Sequence, residues 1–308
     1  MLPKFIMLIG LPGSGKSTYA AKLTNTQKVT KYLSSDKIRE ELYGDESIQG
    51  DPNKIFRIMH ERVKEYLAEG YDVVYDATNV TRKNRRGIVT EVKKYCDDIE
   101  AHIVWAPYTE CITRDKTRKK SVGEDVIRKF LYRWQSPNYD EGFTNIELIF
   151  NCNVGWNRIR YNDAMITNMN IPHDNPHHTL SIADHSAAAE SYIYNSLPNS
   201  IGLDGVILCE AAAFHDIGKP FTKGYKSDKE TGKIDYSIAH YYNHDNVGGY
   251  FVYGCYDDIP VIRKRAIEVS WLVCNHMQPY FQSNYYKKLT GKYKDLLDKL
   301  HEADLAAH

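Results

Sequence analysis

The nine residues from Gly10 to Thr18 constrain the fold of this chain more than any other stretch. They read G-L-P-G-S-G-K-S-T and follow an apolar run, Phe5 to Ile9, that has the length of a buried strand. The pattern from Thr18 to Leu23 suits a helix. A glycine-rich loop between a strand and a helix predicts a site in which backbone N–H groups turn inward around a phosphate. We therefore expect the chain to bind a nucleoside triphosphate.

The residue types in this loop match the parts of a nucleotide. The start of the following helix adds its partial positive charge near the phosphates. Lys16 can reach the β- and γ-phosphates, and Ser17 can offer its hydroxyl to Mg²⁺. The expected ligands are ATP and Mg²⁺, bound by Gly10, Gly13, Ser14, Gly15, Lys16, Ser17 and Thr18.

Composition sets outer limits on the class of protein. A chain of 308 residues is long enough for two domains with cores of their own. Its 40 basic and 40 acidic residues balance, so a polyanion must be bound by a local patch rather than by a global field. The six cysteines are scattered and form no C-x-x-C pair, as in reduced proteins of the cytoplasm, where we expect this chain. No stretch has the length of a transmembrane helix, so we expect no membrane partner.

A capped helix start follows the second predicted strand, residues 29–33. Asp36 and Arg39 are three residues apart and share one helix face. At the carboxyl end of a strand, that face looks into the ligand crevice of an α/β sheet. A carboxylate there can deprotonate an attacking hydroxyl, and an arginine can hold a substrate phosphate. The alternative is that Asp36 is only a helix acid paired with Lys37 or Arg39.

The third predicted strand, residues 72–75, delivers Asp76-Ala77-Thr78-Asn79 to the same sheet edge. Acids at this position serve a metal or the nucleophile; the alternative is that Asp76 and Asn79 make turn hydrogen bonds. A basic run, residues 82–86, opens the next helix beside the crevice.

Two arginines follow the fourth predicted strand, residues 99–105. Arg114 and Arg118 lie four residues apart in a helical stretch that begins at Glu110. Arginines in this position form a lid that stabilises charge on a transferring phosphoryl group. A further amphipathic helix is predicted from Val126 to Trp134, and a last strand over residues 146–150.

Together these pieces make residues 5–150 resemble the polynucleotide 5′-kinase family of P-loop phosphotransferases. The matching motifs are the phosphate loop, D-x-x-R at 36–39, D-A-T-N at 76–79, and R-x-x-x-R at 114–118 before a W-x-x-P-like sequence at 134–137. The resemblance implies that Asp36 is the general base, that Arg39 binds a phosphate of the acceptor strand, and that Arg118 belongs to the lid. It also implies that Asp76, Thr78 and Asn79 lie near the acceptor. Kinases of small acceptors share much of this skeleton, which leaves the acceptor open.

Histidines are concentrated in the second half of the chain. Eleven of the twelve fall at or after residue 102, and most of them lie after 172. A lone histidine is more often structural than a metal ligand, even where two such as His178 and His185 share a helix face. An adjacent His–Asp pair, single histidines on three other helices and a late aspartate, however, make an internal cage of imidazole and carboxylate groups. Such ligand sets suit Mn²⁺, Ni²⁺, Co²⁺, Fe or Zn²⁺, which lower the pKa of a bound water and neutralise a phosphate oxygen.

This arrangement resembles the HD-domain phosphohydrolases over residues 173–308. The carrying motifs are H-D-I-G-K at 215–219 and H-D-x-x-G at 244–248, with single ligands before and after them. The family implies one metal held by His185, His215, Asp216 and Asp304, a second metal or the scissile phosphate held by His244 and His276, and Lys219 near the site.

We therefore predict an α/β P-loop kinase domain with a parallel sheet over residues 1–150, a linker over 151–172, and an all-α HD domain over 173–308. The combination resembles bifunctional kinase–phosphatase enzymes that heal nucleic-acid ends. We expect RNA to be the favoured nucleic acid and a separate ligase to be a candidate partner. Such an enzyme phosphorylates 5′-hydroxyl ends and removes 2′,3′-cyclic phosphate, 3′-phosphate or 2′-phosphate ends. Two alternatives stay open: a small-molecule or nucleoside kinase fused to an HD nucleotide phosphohydrolase, and a nucleotide switch with a degenerate HD scaffold. The preferred nucleic acid, the HD metal and its number, and the oligomeric state also stay open.

Overall fold

The chain folds into two compact units in the computed structural model. The structure describes residues 3–26, 30–152, 169–174, 180–197, 202–227 and 231–307. The first unit comprises Met1–Leu131 and Pro137–Trp156, and the second comprises Tyr132–Ser136 and Asn157–His308. The greater part of the predicted linker, residues 153–168, lies outside the described residues, as does His178.

A five-stranded parallel sheet forms the centre of the first unit, as predicted. The strand order is β2-β3-β1-β4-β5. The central strand β1 is buried on both faces, which explains why its sequence is a continuous apolar run. The strands are β1 (Lys4–Ile9), β2 (Thr30–Ser34), β3 (Asp72–Asp76), β4 (Asp98–Trp105) and β5 (Asn145–Phe150).

Six α-helices connect or follow these strands. They lie where sequence periodicity places them, and β1, β2 and β3 each lead into the loop or helix that carries a candidate site residue. The helices are α1 (Lys16–Thr26), α2 (Ser35–Tyr43), α3 (Pro52–Ala68), α4 (Arg82–Val92), α5 (Tyr108–Thr117) and α6 (Glu124–Leu131), with a short 3₁₀ turn at Tyr139–Glu141.

Two predicted boundaries in this half differ from the structure. Helix α5 ends at Thr117, so Arg118 follows it in extended conformation rather than on the helix. Helix α6 ends at Leu131, three residues before Trp134. Trp134 belongs to the second unit, where its ring packs edge-on against Tyr250 and Tyr253 at 5.0 and 6.1 Å between centroids. Burial of the large indole against these two rings explains why the segment leaves the helical path.

The basic run at the start of α4 is only partly a surface patch. Arg85 is fully buried and donates two hydrogen bonds to Glu141, at 2.8 and 2.6 Å. It donates a third to the backbone oxygen of Asn79 at 3.1 Å. Arg85 thus links α4, the 3₁₀ turn and the end of the D-A-T-N segment.

The second unit is mainly helical, but it is not all-α as predicted. A two-stranded antiparallel hairpin interrupts the helices. The elements are α7 (Ile182–Ser196), α8 (Leu203–Phe214), α9 (Lys219–Thr222), β6 (Gly224–Ser227), β7 (Ile234–His240), α10 (His244–Val252), α11 (Pro260–Asn275), α12 (Gln278–Phe281) and α13 (Lys292–Ala306).

The core of the second unit lies between α7, α8, α10, α11 and α13. Gly218 allows a close approach here, because a Cβ atom on this residue would lie 2.1 Å from the backbone oxygen of His244. The missing side chain lets the start of α10 pack directly against the segment that follows α8. This close approach brings His244 near the His215–Asp216 pair.

The structure describes the state of the cysteines and the apolar character of the helices. All six cysteines are free thiols. Within the described ranges, no helix combines the length and the apolar character that a membrane span requires.

The Arg85–Glu141 pair generates a stability prediction. Arg85→Ala leaves the buried Glu141 carboxylate without its main cationic partner, because Arg82 lies 3.9 Å away. We expect a loss of about 3–5 kcal/mol in unfolding free energy. Native-state hydrogen exchange of peptides from the first unit measures it.

The matched control is Arg86→Ala, which removes an exposed arginine from the same helix. Its effect should stay within about 0.5 kcal/mol. Equal protection factors for the two variants would show that the buried pair does not support the unit.

Candidate active sites

The phosphate loop of the first unit depends on two glycines with positive φ. Gly13 and Gly15 have φ values of 81° and 91°. A Cβ atom would lie 2.3 Å from the backbone oxygen of Cys111 at Gly13, and 1.8 Å from Asn151 Nδ2 at Gly15. Backbone conformation and space therefore both require glycine at these positions.

Arg114 and Asn151 hold this loop from its outer side. Asn151 Nδ2 donates to the backbone oxygen of Ser14 at 2.7 Å. Arg114 donates to Glu110 and to the backbone oxygen of Asn151, at 2.6 and 2.8 Å, and its Nη1 lies 3.4–3.5 Å from the backbone oxygens of Gly13 and Ser14. Arg114 is expected in a lid, but the structure places it among the carbonyl groups of the loop. By binding those oxygens, it helps to direct the loop N–H groups to the other side.

Lys16 occupies the interior of the loop. Its ammonium donates to the backbone oxygens of Gly10 and Leu11, at 3.0 and 2.9 Å. Burial lowers the pKa of Lys16 against the attraction of Asp76, and the positive charge of Arg118 lowers it further. Arg118 is exposed, and its role over the triphosphate stays a prediction.

Asp76 lies directly beside the loop serine. Ser17 Oγ donates to Asp76 Oδ2 at 3.0 Å, and the Tyr32 hydroxyl donates to the same oxygen at 2.6 Å. Burial and the Asp76 carboxylate raise the pKa of Tyr32, so the tyrosine stays a hydrogen-bond donor. A carboxylate and a hydroxyl at this spacing are oxygen ligands of the kind that Mg²⁺ prefers. Ser17 and Asp76 therefore fit an Mg²⁺ ion. This contact favours a metal-binding role for Asp76 over a role only in binding the acceptor.

The other members of the D-A-T-N segment make framework contacts. Asn79 has a φ of 49°, and its Nδ2 donates to the backbone oxygen of Leu8 at 2.8 Å. The backbone oxygen of Thr78 accepts from Gly10 N at 3.1 Å. These bonds couple the end of β3 to the start of the phosphate loop, while contacts of Thr78 and Asn79 with an acceptor stay predictions.

Asp36 and Arg39 form the ion pair that their spacing allows. Ser34 caps α2, and its hydroxyl accepts from Asp36 N at 3.2 Å. Arg39 Nη1 lies 2.5 Å from Asp36 Oδ1, with 46% of the Asp36 side chain exposed. The charge of Asp36 also acts on Lys16. This ion pair is the alternative that the sequence leaves open for Asp36, and a role of Asp36 as the base stays a prediction.

The second unit brings together the histidines predicted as metal ligands in one common orientation. In each of four imidazole rings, Nδ1 lies 2.7–2.8 Å from a backbone carbonyl oxygen. A carbonyl oxygen only accepts hydrogen bonds, so Nδ1 is the donor and Nε2 of the neutral ring carries a lone pair. The four pairs are His185 with Ala307, His215 with Ala212, His244 with Tyr241, and His276 with Val273.

These Nε2 atoms converge on each other and on two carboxylates. His185 Nε2 lies 2.9 Å from Asp304 Oδ1, and His244 Nε2 lies 3.1 Å from His276 Nε2. The buried His215 Nε2 lies 3.3 Å from Asp216 Oδ2 and 3.5 Å from Asp304 Oδ1. Lone pairs and carboxylates at such distances repel each other unless protons or a cation lie between them.

The electrostatics of the cluster show the same need for positive charge. Burial disfavours protonation of His215, but Asp216 and Asp304 outweigh it and raise its pKa to about 10. Burial opposes ionisation of Asp304, yet His215 and His185 lower its pKa below the usual range. Burial and His276 lower the pKa of His244 to about 3. Asp304 therefore stays ionised and His244 stays neutral, as metal ligands must be, and a divalent cation would supply the positive charge that the carboxylates otherwise draw from a proton on His215.

Two sets of three ligand atoms each lie within 4.8 Å of one another. They are His185, His215 and Asp304, and Asp216, His244 and His276. Imidazole nitrogen with carboxylate oxygen fits Mn²⁺, Fe, Co²⁺, Ni²⁺ or Zn²⁺. All six residues that the sequence singles out are brought together. Asp216 contacts both sets, since its Oδ2 lies 3.3 Å from His215 Nε2 and its Oδ1 lies 3.4 Å from His244 Nε2. The grouping of four and two that the family resemblance implies stays a prediction.

Lys219 lies at this centre as expected, with a neighbour that the sequence does not reveal. Its Nζ is 2.6 Å from Asp216 Oδ2 and 3.2 Å from His173 Nε2. His173 is buried, and its Nδ1 donates to the backbone oxygen of Leu180 at 2.9 Å. Tyr280 is a second missed residue, since its hydroxyl donates to Asp304 Oδ2 at 3.0 Å. Neither residue lies in a motif, so only their positions in the fold reveal them.

The converging ligands generate a prediction about metal affinity. Asp304→Asn removes one ligand charge while the side chain keeps its shape, and we expect affinity for Mn²⁺ to fall at least about tenfold. Isothermal titration of the purified chain with Mn²⁺, after chelation and dialysis, measures this. The matched control is Asp295→Asn, an exposed aspartate on α13. Equal affinities of the two variants would contradict a metal site at Asp304.

Comparisons with known proteins agree with the fold of the first unit. Residues 5–137 match the protein-family model described as an AAA domain. A curated protein of Schizosaccharomyces pombe, the bifunctional polynucleotide phosphatase/kinase, is 26% identical over 155 residues. The match covers 48% of this chain and 34% of that protein, so this chain spans about a third of its relative.

Solved structures also contain chains that are similar to part of this one. A chain of the Pnkp1/Rnl/Hen1 complex is 28% identical with a TM-score of 0.34, over 37% of this chain and 39% of that one. A fungal RNA kinase is 18% identical with a TM-score of 0.36, over 48% of this chain and 74% of that one. The family model and the curated relative identify the first unit as a P-loop kinase-like domain that resembles polynucleotide kinase/phosphatases.

Proposed function

We propose that this chain is a bifunctional enzyme that heals nucleic-acid ends. In this proposal, the first unit phosphorylates 5′-hydroxyl ends with ATP and Mg²⁺. The second removes 2′,3′-cyclic phosphate, 3′-phosphate or 2′-phosphate ends with a divalent transition metal. The observation that carries the proposal is the buried set of converging Nε2 atoms and carboxylates in a chain that also has a phosphate loop beside Asp36 and Arg39. One such chain would convert both ends of a broken strand into the forms that a separate ligase joins.

At the kinase site, each named side chain has one task in the transfer. Asp36 accepts the proton of the attacking 5′-hydroxyl, and Arg39 holds a phosphate of the acceptor strand. Lys16 and Arg118 neutralise charge on the transferring phosphoryl group. Ser17 and Asp76 would hold Mg²⁺, which neutralises the β- and γ-phosphate oxygens when bound.

At the phosphohydrolase site, the residues prepare a phosphate for attack by water. The two ligand triads would hold the metal, which supplies an ionised water and a positive charge for a phosphate oxygen. Lys219, oriented by Asp216 and His173, donates to a second phosphate oxygen. The backbone acceptors of the four Nδ1–H groups keep each Nε2 directed at the site.

The kinase assignment predicts the effect of one carboxylate. Asp36→Asn preserves side-chain shape but removes the proton acceptor, and we expect kcat for 5′-phosphorylation to fall by about 10²- to 10⁴-fold. Transfer of labelled phosphate from ATP to a 5′-hydroxyl oligonucleotide measures it. Glu40→Gln on the same helix is the matched control, since Glu40 is exposed. Similar rates for both variants would remove Asp36 from the reaction.

The two-site assignment predicts separable activities. Lys16→Ala should abolish phosphorylation and leave removal of terminal phosphates intact, while Asp216→Asn should do the reverse. Both variants are assayed on the same oligonucleotides with and without added Mn²⁺. Loss of both activities in Lys16→Ala would show that the sites do not act independently.

Choice of acceptor tests the substrate class. The same transfer assay with free nucleosides should give much lower kcat/KM than with the oligonucleotide. Preference for free nucleosides would contradict end healing and would favour the alternative, a small-molecule kinase joined to an HD nucleotide phosphohydrolase. A purified chain that binds no metal after supplementation would instead favour a nucleotide switch on a degenerate scaffold.

A further inference from the structure

A large cavity opens above the ligand triads of the second unit. Its volume is about 910 Å³, which is at the upper end of the range for small-molecule sites and more than a phosphate group needs. The floor is formed by groups of the candidate centre. They are Asp216, Lys219, His244, His276 and Asp304.

The wall of the same cavity carries exposed aromatic side chains. Tyr242 is 71% exposed, Phe281 69% and Tyr280 41%. The ring of Tyr242 stacks on that of His240, with centroids 5.3 Å apart and planes 23° from parallel. Tyr280 reaches the floor through its hydrogen bond to Asp304. Aromatic rings exposed to water at the mouth of a polar centre mark a surface that a flat, partly apolar ligand group can cover.

The two most exposed aromatic rings of the cavity belong to residues at sharp turns of the backbone. Tyr242 directly precedes Asn243, which has a φ of 64° and caps α10. Phe281 ends α12 and directly precedes Gln282, which has a φ of 47°. Each ring therefore lies where the chain turns sharply between defined elements. Such positions present the ring without a long flexible loop.

Charge along the cavity limits how much of a nucleic acid it can hold. Among the described residues that line it, Lys219 is the one lysine or arginine, whereas Asp216, Asp245 and Asp304 are acidic. With metal bound, this floor can neutralise one phosphate group, but the wall offers no basic track for a continuous backbone. The cavity thus suits the end of a strand rather than its interior.

We propose that Tyr242 and Phe281 form a stacking surface for the base of the terminal nucleotide whose phosphate is removed. This inference rests on the proposed phosphohydrolase function and specifies its substrate as an unpaired strand end. The nucleotide enters the cavity to bring its phosphate to the floor, so its base cannot stay paired with a second strand. Stacking uses the π-face that every base has, so the site accepts any of the bases.

The test compares two oligonucleotides that differ in one base. Both carry a 3′-phosphate, and one of them has an abasic sugar as its terminal nucleotide. The wild-type chain with Mn²⁺ should show a kcat/KM about 5- to 100-fold higher on the base-bearing strand, the range expected from stacking one base. Tyr242→Ala and Phe281→Ala should each reduce this preference, while Tyr242→Phe and Phe281→Trp should retain it. Equal wild-type rates on both strands would overturn the stacking surface and leave the phosphohydrolase assignment intact.

Further arms separate stacking from general damage. Tyr194→Ala removes a tyrosine that is 62% exposed on α7 and outside the cavity, and it should leave the preference unchanged. If Tyr242→Ala and Phe281→Ala slowed both strands equally, these rings would support the centre rather than the base, and the inference would fall.

A terminal phosphate within a blunt duplex should react more slowly than on the single strand. An equal rate would contradict the requirement for an unpaired end. A higher kcat/KM on nucleoside 3′-monophosphates than on the oligonucleotide would show that the substrate is a free nucleotide rather than the end of a strand. No hydrolysis of either strand by the wild-type chain would reject the proposed function itself.

Discussion

The second unit depends on hydrogen bonds from four histidine Nδ1–H groups to backbone carbonyls. Each bond selects one tautomer and one ring orientation, and so sets the direction of the remaining lone pair. Because Asp216 and Asp304 lie at the same point, the centre concentrates electron-rich atoms in a buried volume. Such a set is stable only with positive charge, whether from protons, Lys219 or a metal. The same repulsion that would destabilise the unit without a cation would favour the binding of one.

In the first unit, the group that needs compensation is the anionic ligand rather than a cluster of protein side chains. An anionic triphosphate needs N–H groups and cations, and the loop supplies them because Arg114 and Asn151 bind the carbonyl oxygens from outside. Lys16 donates to loop carbonyls where a phosphate would otherwise accept. The ligand therefore exchanges existing hydrogen bonds for stronger ones to charged oxygen atoms.

Both sites lie where short-range motifs meet residues that are distant in sequence. Tyr32 orients Asp76 from the neighbouring strand, and His173 orients Lys219 from a segment before α7. Tyr242 and Phe281 add an apolar surface above the second centre. In the proposed function, the chemistry of each centre would thus come from motif residues, and its precision and choice of substrate from the neighbours that surround them.

Sequence by itself determined the strands of the first unit and named the residues of both candidate sites. The five strands follow from apolar runs, and the phosphate loop follows from glycine positions, because local patterns and steric limits act over a few residues. The six candidate metal ligands could also be named from spacing and residue type. Spacing does not reveal burial, which is why Arg85 reads as surface charge. It also does not reveal the hairpin or the place of Trp134. These depend on packing between segments far apart in the chain, and only the tertiary structure brings such segments to within a few ångströms.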